Sequence, residues 1–131
     1  LDSIQAAVLL EKLNIFDEEL EMRNLIDANY RRNLNNAQYH PEEYQSAHAL
    51  FSIVLESNDK RNDLIKRLQK NKIPSVVYYK LPIHMMHAFN YLGYSLGGFP
   101  ISEKLSNNIL SLPMHPYLTE LQQKEILKYI V

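Results

Sequence analysis

Residues 47–79 read AHALFSIVLESNDKRNDLIKRLQKNKIPSVVYY. Ala47 to Glu56 carries Leu50, Phe51, Ile53, Val54 and Leu55 between polar residues, which predicts a strand. Asn58 to Asn71 then changes period. Leu64, Ile65 and Leu68 fall on one helical face, with Asn58 or Asp59 as the cap. Lys70 and Lys72 put positive charge at the helix end, where the dipole favours it. Ile73 to Tyr79 returns to apolar and aromatic residues with Pro74 at its entry, and predicts a second strand. Strand, helix, strand within one short stretch places the chain in the α/β or α+β class, with a small sheet covered by helices.

Outward toward the start, Leu1 to Leu34 reads as one long amphipathic helix. Ile4, Ala7, Val8, Leu10 and Leu13 begin an apolar stripe that Leu20, Leu25, Ile26 and Tyr30 continue. Asp2 or Ser3 caps it, and Phe16-Asp17-Glu18 is where it bends or breaks. A core helix and a connector between two domains both fit this pattern. The connector reading divides the chain into a helix at 1–34 and a small α/β domain at 35–131. The first residue is Leu1, which leads to the expectation of a piece cut from a longer polypeptide. Asn35 to Gln45, with His40-Pro41, reads as a loop.

Toward the other end, Leu81 to Met86 is a loop and His87 to Leu92 a short helix closed by Gly93. Gly97-Gly98 is a turn, and Pro100 opens a helix through Ile109. Leu110 to Met114 predicts a short strand. Pro116 to Thr119 leads into a last helix, with a Thr119–Gln122 capping box.

Composition narrows the function. The 131 residues carry a net charge of -1, with 46% hydrophobic and 22% charged residues, the balance of a globular domain. No basic excess argues for nucleic acid, and no cationic face for a membrane surface. With no cysteine, disulfides, thiolate metal sites and cysteine nucleophiles are excluded, which is compatible with the expected cytoplasmic location. No apolar run approaches the roughly 20 residues of a membrane span, and no signal-peptide pattern is visible. The three glycines build neither a dinucleotide fingerprint nor a P-loop. No G-x-S-x-G elbow is present.

The five histidines include His84 and His87 in H-x-x-H. Two imidazoles so spaced on a helix could share a metal, but Pro82 argues that His84 precedes any helix and no glutamate sits in the pair. No metal ligand is therefore assigned. No lysine stands out as a Schiff-base former, Lys80 being the nearest exception. The stretch VVYYKLPIH, Val76 to His84, puts Tyr78, Tyr79, Lys80 and His84 where a strand enters a proline-shaped loop. Hydroxyl and imidazole groups there could bind a polyol such as a sugar. On the plainer reading, Tyr78 and Tyr79 alternate across a sheet, one in the core, and His84 caps a turn.

Four stretches together resemble one family. Leu1 to Leu13, LDSIQAAVLLEKL, resembles the run that follows G-x-N-x-R in the DegT/DnrJ/StrS sugar aminotransferases. Val77 to Phe89, VYYKLPIHMMHAF, resembles their Y-Y-P-x-P-[LI]-H-x-Q-P-A-F. Phe99 to Leu105, FPISEKL, and Ser111 to Thr119, SLPMHPYLT, resemble two further motifs in the same order. The resemblance implies the small C-terminal domain of a fold-type-I, pyridoxal-phosphate-dependent enzyme that moves an amino group to a keto nucleotide sugar. It implies a homodimer, and a missing large domain that carries the lysine, the acid facing the pyridine and most phosphate contacts. His84, Tyr78 and Tyr79 match positions on the substrate side. No catalytic or cofactor-binding residue carries over, so the 131 residues alone are expected to bind no cofactor and to be inert. Lys80, Met86 and His87 depart from the pattern where proline, glutamine and proline are common, which bears on loop shape and sugar choice. A non-catalytic interaction module that self-associates through residues 1–30 is the alternative.

Overall fold

The computed structural model describes residues 2–38 and 43–130. The helix expected over 1–34 is two helices, α1 (Ser3–Asn14) and α2 (Phe16–Asn33), broken at Ile15. Asp2 caps α1, its carboxylate accepting from the Gln5 amide at 2.8 Å. The break falls just before Asp17, Glu18 and Glu19, three carboxylates that favour a new helix N-terminus. α1 buries no side chain. On α2, Ile26, Asp27 and Tyr30 are buried.

Tyr30 is the pivot of the core. Its ring lies 4.7 Å from that of Phe51 and its hydroxyl donates to the Pro113 carbonyl at 3.1 Å. Burial pushes its pKa up, so it stays a neutral donor. Phe51–Val54 forms β1 and Ile109–Leu112 forms β2, antiparallel, with Phe51 opposite Leu112. β1 is shorter than the expected 47–56, and Leu50 is exposed. Asn58–Lys70 forms α3, capped by Ser57 rather than by Asn58 or Asp59. Its Leu64 and Leu68 join Phe51, Ile53 and Leu110 in one apolar cluster.

The strand expected over Ile73 to Tyr79 does not form. It is reduced to a bridge in which Val76 and Ser111 exchange both backbone hydrogen bonds, at 3.1 and 2.8 Å. Pro74 has no N–H for a ladder, and the chain turns at Tyr78–Tyr79. The sheet therefore has two strands.

Pro100–Asn108 forms α4, with proline in its first turn, and Glu120–Lys128 forms α5 behind the Thr119–Gln122 capping box. Ile126 and Leu127 of α5 enter the core. Buried Gln123 locks α5 to α2: its amide donates to the Ile26 carbonyl at 3.0 Å and its oxygen accepts from Asn29 at 2.8 Å. Asp27 takes Arg31 Nε at 2.6 Å and lies 3.2 Å from His48 Nδ1, which anchors the approach to β1. The loop expected over Asn35 to Gln45 lies partly outside the described residues, His40 and Pro41 included. No helix among the described residues is long and apolar enough to cross a membrane.

Candidate functional site

The segment after Val77 leaves the sheet and builds the most chemically organised region of the surface. Val77 is buried and holds the segment to the core. Tyr78 and Tyr79 are both exposed, so they do not alternate across a sheet. Their rings meet edge to face at 5.4 Å. Pro82 then starts a 3₁₀ turn, Ile83–Met85, closed by the Met85 amide on the Pro82 carbonyl at 2.9 Å. A second 3₁₀ turn, His87–Leu92, ends at Gly93 with φ 72°, the left-handed geometry glycine allows.

His84 is buried. Its Nε2 is 2.9 Å from Glu103 Oε1, and its ring packs at 4.8 Å on Phe99. Glu103 sits in the first turn of α4 and reaches back over the preceding loop. It accepts the Gly97 amide on both oxygens, at 2.9 and 3.0 Å, and the Phe99 amide at 3.2 Å. Burial pushes its carboxyl up, but the Gly97 and Phe99 amides and the His84 ring outweigh that, and its pKa lies below the ordinary carboxylate value. A folded-state pKa below the unfolded one means the ionised carboxylate supports the fold above the carboxylate range. That support is lost as pH falls through the folded pKa.

Between these two elements runs a shallow groove of about 230 Å³. Tyr78, Tyr79, Leu81, Pro82, Ile83 and Met86 form one wall; Ser102, Leu105, Ser106 and Ile109 form the other. Ser106 Oγ donates to the Tyr79 carbonyl at 2.6 Å and ties the walls together.

Of the expected site residues, Tyr78 and Tyr79 line the groove. His84 lies behind its wall, engaged with Glu103. Lys80 is exposed. His87 is exposed in a separate turn from His84, so H-x-x-H does not form a helical pair. Among the described residues no three His, Asp or Glu side chains converge as a metal site would require. The sequence does not single out Glu103 or Ser106 as site residues. An acidic residue in the turn after Pro100 was the available signal, since helix N-termini attract carboxylates.

Every lysine among the described residues is exposed. Pyridoxal phosphate needs an amine in a desolvated pocket and a cradle of backbone amides for its phosphate. The Gly97 and Phe99 amides already hold the Glu103 carboxylate. The described residues alone do not fit the cofactor.

Residues 1–131 match the DegT/DnrJ/EryC1/StrS aminotransferase family, and the chain belongs to that family. It is 36% identical over 134 residues to the "pleiotropic regulatory protein" of Geobacillus stearothermophilus, covering 99% of this chain and 36% of the relative. It is 30% identical over 122 residues to a UDP-2-acetamido-2-deoxy-3-oxo-D-glucuronate aminotransferase of Pseudomonas aeruginosa, covering 90% and 32%. A DegT/DnrJ/EryC1/StrS aminotransferase structure from Brucella abortus superposes with a TM-score of 0.89 at 45% identity, over 99% of this chain and 35% of that one. S. venezuelae DesV, solved in complex with a ketimine intermediate, gives 0.91 at 25%, over 99% and 36%. The chain thus spans about a third of the length of the curated relatives it matches.

Proposed function

We propose that this chain is the C-terminal small domain, with its connecting segment at 1–34, of a longer aminotransferase that aminates a keto nucleotide sugar. The small domain at 35–131 supplies one wall of the substrate cleft. The observation that carries the reading is the organised Tyr78–His84 and Phe99–Ser106 region, with no buried lysine among the described residues. It has a shaped surface for a ligand and lacks the amine that transamination requires. Pyridoxal phosphate, when bound in the whole enzyme, supplies the electron sink for amino transfer.

In this reading Tyr78 and Tyr79 offer aromatic faces and hydroxyls to the nucleotide sugar, and His84 supports them from behind. Their role is to bind and orient the sugar and to exclude water. The whole enzyme acts in the cytoplasm as a homodimer, the form the family resemblance implies. The amino sugar it makes feeds a surface polysaccharide or related product. The name of the P. aeruginosa relative supports a nucleotide-linked keto sugar as substrate.

A second reading, an interaction module that keeps the fold, draws on the uncovered apolar side chains of α1. The two readings part at the gene. The proposal expects an open frame upstream of the Leu1 codon that encodes a lysine-bearing aminotransferase domain. A stop codon directly upstream overturns it in favour of the second reading.

A further inference from the structure

We infer that Glu103, together with Ser106, is a positioning residue that holds the two walls of the Tyr78–Tyr79 groove in register for the sugar. The inference rests on the aminotransferase reading above. One wall belongs to residues 78–86 and the other to α4. Two side chains on α4 cross between them. Ser106 Oγ grips the Tyr79 carbonyl at 2.6 Å, and Glu103 Oε1 meets His84 Nε2 at 2.9 Å.

Capping of α4 alone does not account for Glu103. A cap requires only the Phe99 amide. Glu103 also collects Gly97 and His84, and the His84 ring packs tilted on Phe99, 4.8 Å between centroids. Oε1 faces three donors and Oε2 one, so the site matches a group that only accepts. A glutamine of the same shape would turn an NH2 toward an N–H or an imidazole. Glu103→Gln therefore keeps volume while disrupting the tie. Ser106→Ala removes the other tie without touching the first.

The test measures steady-state kinetics of the full-length enzyme with glutamate and a panel of UDP- and dTDP-linked keto sugars. In parallel, amide and imidazole NMR of the 131-residue chain follows Gly97, Phe99 and His84. We expect Glu103→Gln to shift those three signals and to raise KM for the accepted sugar about tenfold, the scale of one lost charge-assisted hydrogen bond. KM for glutamate and kcat should stay within about threefold, a split that a general loss of stability would not produce. Ser106→Ala should move the sugar KM in the same direction. If Glu103→Gln fails to fold, an unchanged sugar KM in Ser106→Ala overturns the inference. Shifted NMR signals with an unchanged sugar KM overturn it while leaving the aminotransferase reading intact. A wild-type enzyme that aminates no member of the panel overturns both.

Discussion

Arg61 shows how a single residue departs from the rules that govern the rest of the core. It is buried on α3 at 6% exposure, beside Leu64 and Leu68, and its Nε and Nη1 meet no acceptor among the described residues. Two buried guanidinium nitrogens that meet no acceptor carry a desolvation cost. Replacing Arg61 by an apolar side chain of similar length removes that cost. Arg61→Met is expected to stabilise the chain by about 1 kcal/mol or more, read as a higher urea midpoint at unchanged slope. A lower midpoint would show that the guanidinium is paired. Glu103 is the opposite case, a carboxylate whose charge is answered by amides and an imidazole. The burial of Arg61 could not be read from sequence, and for Glu103 the helix start at Pro100 was the signal. Charged residues on a helix read as solvated, and only the packing of another element onto them changes that.

At the scale of elements, what the sequence made legible was what local chemistry decides. The Thr119–Gln122 box, the Asp2 cap, Pro100 at a helix start and Gly93 at a helix end all appear where their side chains or φ demanded. The strand over Ile73 to Tyr79 failed because pairing is settled by distant residues. Val76 finds Ser111, but Pro74 and the turn at Tyr78–Tyr79 stop the ladder from spreading. The opening helix breaks at Ile15, next to the expected Phe16-Asp17-Glu18, for a local reason, the acidic start of α2. Its two halves now differ in kind. α1 has Ile4 at 80% and Leu13 at 66% exposure, whereas α2 inserts Ile26 and Tyr30 into the core. A helix of 12 residues with no buried face gains little from tertiary packing. Hydrogen exchange on the isolated chain should therefore show α1 amides exchanging with little protection, while those around Ile26–Tyr30 open only with global unfolding. Equal protection across both helices would mean that α1 is covered by association with another molecule.

At the scale of the whole molecule, the small sheet and the helices around it were in view from the change of hydrophobic period along the chain, and the family from four short motifs. Of the groove, Tyr78 and Tyr79 were in view. Its wiring was not, since the partners of His84 and Tyr79 lie 19 and 27 residues further on. The chain spans about a third of its curated relatives and has no lysine in an apolar pocket among its described residues. On the proposed reading, amino transfer depends on residues outside it. The decisive measurement compares the 131-residue chain with the longer polypeptide encoded by its gene, each given pyridoxal phosphate, glutamate and a nucleotide-linked keto sugar. The longer polypeptide is expected to form the amino sugar and the chain alone to form none. Amino sugar produced by the 131 residues alone would contradict the account.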